Sequence, residues 1–449
     1  MVFRTELRRS IAPWAGLALL AFALGFLFLL SGPWWKVPAP WTVHTTTTAL
    51  WVRFLLQFLW PVVVGAGAIQ GMRDSRSGMT ELLATTPRPA WHRALRLAGA
   101  LGTLTGLAYL LVFVAGAGEV LAHGGFFSPA FVPVLLIGVL GVVAGAWAGL
   151  AVGRLVPHPL TAPALAVLAL VGTTLCWLAL EPGQESVLPR RLGPLAPALA
   201  QPRGSMVTTA ASLDAGQVVW FGGLALTGFL LLSAGSTRAR LLSLLPLVAG
   251  AAVALPLFPE TPLAADGYAA RKVCDGPVCV AELHRDRLAA LAGPGREALA
   301  MLAKLPGAPT RVEEQVAPDS GPEAPRRDPG VVYLDFQRND ELLAADAADL
   351  RLAVLSGAGV PSCERPSAPS VSDTGARMIA AAYFTGELKL LPEDTGRWFR
   401  AQLGPVEQAW EKFRALPEDV RAARVAALRQ ALLTCQGDPL GTLVPGAIR

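Results

Sequence analysis

Residues 97–121 read LAGALGTLTGLAYLLVFVAGAGEVL, a stretch in which Glu119 alone is charged. A helix needs about 20 mainly apolar residues to cross the hydrocarbon core of a bilayer. Every backbone N–H and C=O must then find its partner within the helix, because no water is present there. This stretch therefore predicts a membrane-spanning helix.

Six other stretches have the same character, although the last two are shorter. Together they predict an α-helical polytopic membrane bundle of about six to seven spans, at 11–30, 49–70, 97–121, 133–155, 161–180, 218–234 and 241–257. The first follows three arginines, as a signal peptide would. Its apolar run is longer than a signal peptide needs and no small-residue cleavage site follows, so we predict an uncleaved anchor.

Charge is distributed unevenly along the chain. The whole sequence is 53% hydrophobic and 16% charged, whereas soluble globular proteins carry about 25% charged residues. Of the 33 acidic residues, 7 precede Phe258. We therefore predict a transmembrane domain at 1–258 and a small, water-soluble α+β domain at 259–449.

Arginine and lysine collect in the cytoplasmic loops of membrane proteins. A cytoplasmic N-terminus places four basic segments there, namely 4–9, 73–96, Arg154 and 238–240. Arg190, Arg191 and Arg203 oppose this assignment, unless their loop is an amphipathic surface segment. An odd number of spans then makes the C-terminal domain extracellular, and we expect a multi-pass protein of a bacterial cell membrane. The net charge of +5 is read as this topology signal and not as a nucleic-acid site.

Four cysteines lie in the C-terminal domain, and an even set outside the cell indicates disulfides. Of the three possible pairings we favour Cys274 with Cys279, since Asp275-Gly276-Pro277 between them favours a turn, and Cys363 with Cys435. The alternative is a metal site built from the first two cysteines and His284. Only one histidine is near and exported thiols oxidise, so we predict no metal.

The remaining pattern of the C-terminal domain is mainly helical. It predicts helices at 285–305, 339–355, 373–384, 395–416 and 418–434, a proline-rich linker at 317–329 and a buried strand at 330–337.

Motifs for catalysis and for phosphate binding are missing from the sequence. It contains no G-x-x-x-x-G-K-[ST] loop, no H-E-x-x-H pair, no G-x-S-x-G elbow and no S-x-x-K pair. We predict that the chain is not an enzyme and binds no cofactor itself. An acid–base pair among the carboxylates of the C-terminal domain is possible in principle, but a solvated face is the commoner explanation of Glu313, Glu314, Asp335, Asp340 and Glu341.

Two charged residues fall within the predicted spans, Arg53 and Glu119. Charges inside a membrane are costly and are candidate functional residues by default. Each lies near the outer end of its span, so the alternative is a side chain that extends to the interface. Glycines three or four residues apart, at 99–106 and 138–149, predict close helix packing, either within the chain or between subunits.

Residues 71–96, GMRDSRSGMTELLATTPRPAWHRALR, form a basic cytoplasmic segment. Met79, Leu82 and Leu83 are spaced to form one apolar stripe on a short helix, and Glu81 faces another way. Pro87 ends this helix. The pattern alone indicates a helix at the membrane surface.

The opening FRTELRRSIAPWAG and the segment RDSRSGMTELLATTPRPAWHRALRLAGAL resemble permease subunits of ABC-2 type exporters, particularly those of high-GC Gram-positive bacteria. The resemblance covers roughly residues 1–240. It implies that residues 3–10 form an amphipathic elbow helix. It also implies a coupling helix that docks on a separate ATPase subunit, with the ATPase-coupling residues Met79, Thr80, Glu81, Leu82, Leu83 and, just beyond, Arg88.

The same resemblance implies the partners and the cargo. ATP and Mg²⁺ would be held by the ABC ATPase subunit, and a second permease subunit, identical or different, would complete the path across the lipid bilayer. The cargo would be amphiphilic, such as a lipid or a hydrophobic peptide. The family usually has six spans, and a seventh with an exported domain departs from it. The alternatives are a membrane-anchored receptor or assembly module, and a secondary carrier or membrane enzyme.

Overall fold

The computed structural model describes residues 11–30, 40–76, 89–181, 185–316, 326–337, 341–363, 370–392 and 403–446. The chain forms two compact units, Met1–Asp266 and Gly267–Arg449. The predicted boundary after residue 258 lies before this division. The difference arises because strand Leu263–Ala265 pairs with Val207–Thr209 and so belongs to the first unit.

The first unit is a helical bundle with one short strand pair. In chain order its elements are α1 (Ala12–Gly25, followed by a π-helical turn Phe26–Leu30), α2 (Thr45–Phe54), α3 (Leu56–Arg76), α4 (Ala90–Ala122), α5 (Phe131–Leu155), α6 (Thr161–Leu180), a 3₁₀ turn Arg190–Leu195, β1 (Val207–Thr209), α7 (Ala211–Ser233), α8 (Thr237–Leu242), α9 (Leu245–Leu257) and β2 (Leu263–Ala265).

Six of the helical segments in the described residues are long and apolar enough to cross a membrane, with α8 and α9 counted together. Helices α2 and α3 are bent by 53° relative to each other and make a seventh if the pair is one span. This count agrees with the prediction of six to seven. The bent pair begins at Thr45, before the predicted 49–70, because the ring of His44 caps the helix by accepting hydrogen bonds from the amides of Thr46 (3.1 Å) and Thr47 (3.4 Å).

A proline loosens the helix that follows the bend. Pro61 has no N–H, so the carbonyl of Gln57, four residues earlier, loses its usual partner in α3. The hydroxyl of Thr173 on α6 lies 3.2 Å from that carbonyl, and it also lies within hydrogen-bond distance of the carbonyls of Ala169 (2.9 Å) and Leu170 (3.0 Å) in its own helix. A neighbouring span thus offers a donor, shared with its own backbone, to the polar group that the proline frees.

Glycines bring α3 and α5 into backbone contact. A Cβ atom added at Gly71 would lie 2.9 Å from the amide nitrogen of Arg154, and one at Gly149 would lie 2.9 Å from the carbonyl carbon of Val64. Such distances leave no room for a side chain. The glycine spacing predicted close packing either within the chain or between subunits. For Gly149 the structure shows a contact within the chain.

The second unit is an α+β fold around a four-stranded sheet. The strands β3 (Lys272–Asp275), β4 (Val278–Ala281), β5 (Arg311–Glu314) and β6 (Val331–Leu334) are neighbours in that order. The first two form an antiparallel hairpin and the other two pairings are parallel. Its helices are α10 (Leu288–Leu302), α11 (Glu341–Ala344), α12 (Ala347–Leu355), α13 (Val371–Thr385), α14 (Leu403–Arg414), α15 (Glu418–Thr434) and α16 (Pro439–Leu443).

The predicted helices 373–384 and 418–434 are present as α13 and α15, whereas the helix predicted at 395–416 is described only from Leu403, as α14, and most of the linker predicted at 317–329 lies outside the described residues. Two other predicted helices differ from the structure. The predicted helix 339–355 is divided into α11 and α12, because Asp346 caps a new helix through its carboxylate, which accepts hydrogen bonds from the amides of Ala348 and Asp349, both at 2.9 Å. The predicted helix 285–305 starts as a 3₁₀ turn, Glu282–Arg287, and becomes α-helical at Leu288.

Both predicted cysteine pairs lie at disulfide distance. Cys274 and Cys279 face each other in the β3–β4 hairpin with Cα atoms 4.1 Å apart, and Cys363 and Cys435 have Cα atoms 5.5 Å apart. The Nδ1 atom of His284 lies 2.7 Å from a carboxylate oxygen of Glu314.

The carboxylates of β5 do not form a solvated face. Glu313 and Glu314 are 6% and 5% exposed. Glu313 pairs with Lys272, while Glu314 accepts a hydrogen bond from the amide of Ala281 at 2.7 Å and contacts His284. The solvated-face interpretation was wrong for these two residues, since β5 is an inner strand between β4 and β6.

Candidate functional site

The two charged residues predicted within the spans have different surroundings. Glu119 lies near the end of α4 and pairs with His123, whose side chain is largely exposed, at 3.3 Å. Glu119 itself is partly exposed, so both interpretations of this residue stay open. Arg53 is fully buried within the first unit, two residues before Leu55, where α2 and α3 meet. The interface interpretation is wrong for Arg53, because the rest of the bundle encloses it.

Arg53 contacts a segment that enters the bundle from the connection between α6 and α7. This re-entrant segment comprises residues 190–200, and its central residues 193–199 are mostly buried. A Cβ atom added at Gly141 would lie 2.7 Å from Pro197 Cβ. Gly141 is about ten residues into α5, or about 15 Å at 1.5 Å per residue. The segment therefore reaches well inside the bundle and is not an amphipathic surface segment.

Side chains from the helices satisfy the backbone carbonyls of the re-entrant segment. Gln217 Nε2 donates to the carbonyl of Pro194 at 2.9 Å and, at 3.4 Å, to that of Ala196. Trp220 Nε1 donates to the carbonyl of Leu195 at 2.8 Å. Non-helical backbone at membrane depth is tolerated only where protein buries it or where it lines a cavity. These donors explain how the segment is accommodated.

Arg53 provides the link between the bent helix and the re-entrant segment. Its Nε and Nη2 donate to the Pro197 carbonyl at 3.0 and 2.9 Å, and Nη2 also donates to Gln217 Oε1 at 2.8 Å. Both acceptors are neutral. The ionisable groups that act on Arg53 electrostatically are Tyr109 and Asp214. A cation is thus held inside the bundle mainly by hydrogen bonds to neutral oxygens.

A second polar cluster joins four connections at one end of the bundle. The carboxylate of Asp266, after α9, accepts hydrogen bonds from Thr46 Oγ1 at 2.9 Å and Ser128 Oγ at 2.6 Å. His44 Nε2 contacts the carbonyl of Ser205, and the backbone of His44 pairs with that of Phe126 in an isolated β-bridge. The connections before α2, after α4, before α7 and after α9 therefore meet at the same end, hereafter the polar end.

Other contacts identify the opposite end of the bundle. The amide of Ile11 donates to Gln70 Oε1 at 3.2 Å, and Arg154 Nη1 donates to the Leu232 carbonyl at 2.8 Å. The described arginines that belong to the helix ends and connections at this basic end are Arg73, Arg76, Arg93, Arg96, Arg154, Arg238 and Arg240.

Two of the three arginines that oppose the charge rule are neutralised at the polar end. Arg191 pairs with Glu260 at 3.1 Å, and Arg203 pairs with Glu181. A paired arginine contributes little net charge to its end of the bundle. The imbalance between the two ends is therefore larger than a count of arginines suggests.

The proposed ATPase-coupling residues Met79, Thr80, Glu81, Leu82, Leu83 and Arg88 lie outside the described residues, as do residues 3–10. The structure does place the two helices that flank them. Helix α3 ends at Arg76 and helix α4 begins at Ala90, both at the basic end.

No family model, no curated protein and no solved structure matches this chain.

Proposed function

We propose that this chain is the membrane subunit of an ATP-driven exporter of the ABC-2 type. The observation that supports transport is the buried contact between Arg53, at the bend of a broken helix, and the re-entrant segment. A simple anchor needs only apolar helices, and buried polar groups and irregular backbone are costly in a membrane. Broken helices and re-entrant backbone are typical of transport pathways.

In this proposal a separate ATPase subunit supplies the energy. It holds ATP and Mg²⁺ and docks on Met79, Thr80, Glu81, Leu82 and Leu83, with Arg88 just beyond. Closure of an ATPase pair around nucleotide moves the two permease subunits as rigid bodies. The described helices that precede and follow these residues in the sequence, α3 and α4, end and begin at the end rich in arginine, and this supports a cytoplasmic contact of this kind.

The proposed location is a bacterial cell membrane, with the basic end in the cytoplasm and the second unit outside. Two observations support this orientation. Arginine is concentrated at one end of the bundle, and the second unit carries two cysteine pairs at disulfide distance, which is typical of an oxidising compartment.

Purification from the native host in mild detergent tests the proposed function. An ATPase with a phosphate-binding loop should accompany the wild-type chain, and Glu81→Arg or Leu83→Asp should release it. Glu119→Arg is the matched control, because it makes the same change of charge at a partly exposed site on the polar end. Wild-type protein that carries no ATPase would contradict the proposal.

A second candidate function is a membrane-anchored receptor or assembly module. The second unit favours it, since this unit has its own hydrophobic core around Val278, Leu302 and Ile379 and a size at which domains fold independently. In that case the purified chain should retain a partner bound to the second unit, without any ATPase. The same purification therefore distinguishes the two functions.

A further inference from the structure

Two hydrogen-bond donors near the bend have no acceptor. Within the described residues, Arg53 Nη1 and the hydroxyl of Tyr109 lack any hydrogen-bond partner, and both side chains are fully buried. Tyr109 packs against Gly138 of α5. Pro197, whose carbonyl accepts hydrogen bonds from Arg53, packs against Gly141 one turn further along the same helix. Buried donors are almost always paired in proteins. Two unpaired donors at one place therefore point to an acceptor that binds there.

The local charge favours an anionic acceptor. Arg53 donates hydrogen bonds to the Pro197 carbonyl and to Gln217 Oε1, which are both neutral. Asp214, on α7, is the one carboxylate that acts on Arg53 electrostatically among the groups the structure describes. Burial without a strong counter-charge is unfavourable for a guanidinium group. A ligand that brings a negative charge would relieve this cost.

Tyr109 is positioned by packing and not by its hydroxyl. A Cβ atom added at Gly138 would lie 2.8 Å from Tyr109 Cε1, so the ring of Tyr109, on α4, lies directly against the backbone of α5. Val112 and Phe113, one turn further along α4, are buried apolar neighbours in the chain. The hydroxyl, which lies at the end of this ring beside Gly138, is thus a buried polar atom without a hydrogen-bond partner among the described residues.

We propose that Arg53 and Tyr109 bind an oxyanion, the carboxylate or phosphate group of a ligand. The planar guanidinium group is well matched to both kinds of oxyanion, and the Tyr109 hydroxyl donates to the same ligand. That the ligand is the exported molecule rests on the proposed function. The binding itself does not, because it needs only this chain.

The test uses the purified full-length chain in a neutral detergent. Its thermal stability and ligand affinity are measured with phosphatidylglycerol, oleate, inorganic phosphate and, as the zwitterionic comparison, phosphatidylcholine. We expect the anionic probes to stabilise the protein and phosphatidylcholine to do so much less. Stabilisation by phosphate alone assigns the site to a soluble anion, and stabilisation by phosphatidylglycerol or oleate only assigns it to an amphiphile.

Tyr109→Phe separates binding from structural support. The ring and its packing remain, so the ligand-free protein should be as stable as wild type or more stable, since a buried unpaired hydroxyl is removed. Affinity for the anion should fall about tenfold, the effect expected for one charge-assisted hydrogen bond. A purely structural role for Tyr109 would leave anion affinity unchanged, and that result would overturn the proposal.

Arg53→Lys and Arg154→Gln complete the design. In Arg53→Lys the positive charge remains but the planar guanidinium group is lost. Anion binding should therefore weaken, while the preference for anionic over zwitterionic probes should remain. Arg154 also donates to a backbone carbonyl but lies at the basic end, so its variant should keep wild-type selectivity for anions. Equal stabilisation by phosphatidylglycerol and phosphatidylcholine would overturn the site. If the wild-type chain bound no anion but an ATPase still accompanied it on purification, the proposed function would stand without this binding site.

Discussion

Arg53 donates two hydrogen bonds to the carbonyl oxygen of Pro197, from Nε at 3.0 Å and from Nη2 at 2.9 Å. The two residues are 144 positions apart in the sequence. One ends the first half of a bent helix and the other lies in the re-entrant segment. Any movement that opens the bundle between these elements must break this contact.

Replacement of Arg53 by methionine should therefore destabilise the first unit. The carbonyl of Pro197 and the side chain of Gln217 would each lose a donor, and a buried polar group without a partner costs about 1–3 kcal/mol. We expect the free energy of unfolding to fall by roughly 2–3 kcal/mol, measured by thermal unfolding in detergent. Arg190→Met is the control, because Arg190 is exposed on the same segment. Equal losses in the two variants would contradict the structural role of Arg53.

Gly149→Ala tests the backbone contact between α3 and α5. The added methyl group would lie 2.9 Å from the carbonyl carbon of Val64, so the helices must separate, at a cost of about 1–3 kcal/mol. The control is Gly172→Ala on α6, where an added Cβ has no atom within 4 Å. That change should leave stability equal or raise it by up to about 1 kcal/mol, because alanine favours helix. A neutral Gly149→Ala variant would show that the contact is not as close as described.

A double-mutant cycle tests the link between Pro61 and Thr173. Thr173→Val removes a hydroxyl that the Gln57 carbonyl shares with the carbonyls of Ala169 and Leu170 and should cost roughly 0.6 kcal/mol, the mean measured for hydrogen bonds between membrane helices. Pro61→Ala supplies a backbone N–H for the same carbonyl. In that background Thr173→Val should cost clearly less. Additive effects in the four proteins, measured by thermal stability, would mean that the two residues are not coupled.

The spans could be predicted from sequence because length and apolarity alone determine them. The re-entrant segment could not, since RRLGPLAPALA shows neither periodicity nor sufficient length, and its donors come from distant helices. Strand β5 was also missed. Its sequence, RVEE, has one apolar residue, and the burial of Glu313 and Glu314 depends on Lys272 and His284.

The candidate site was predicted in part. Arg53 stood out because it was a charge within an apolar stretch. Gln217 did not, because it lies one position before the predicted span 218–234, and Tyr109 reads as an ordinary interfacial or core aromatic residue. Only the fold brings these side chains together, so no local pattern could have identified them as a group.

The proposed orientation predicts the labelling of two cysteine variants that start from the same residue type. In a background with the native cysteines replaced by alanine, His123→Cys lies at the polar end and His158→Cys at the basic end, and both positions are exposed. An impermeant maleimide should label position 123 in intact cells. It should label position 158 only after the membrane is permeabilised. The reverse pattern would contradict a cytoplasmic basic end.

The two disulfide pairs should differ in their effect on the second unit. A disulfide stabilises mainly by restricting the unfolded chain, and the effect grows with the length of the loop that it closes. Cys363–Cys435 spans 72 residues and Cys274–Cys279 spans 5. From loop entropy we expect about 4 kcal/mol for the longer loop and about 2 kcal/mol for the shorter.

Hydrogen exchange in the full-length chain measures this difference. Cys363→Ala with Cys435→Ala should accelerate exchange in α13 and in α15, because Cys435 directly follows α15 and the bond holds that helix to residue 363. Cys274→Ala with Cys279→Ala should act mainly on the β3–β4 hairpin, whose register places these two residues opposite each other. If loss of Cys274–Cys279 accelerated exchange in α15 as much as loss of Cys363–Cys435, the larger stabilisation expected from the 72-residue loop would be contradicted.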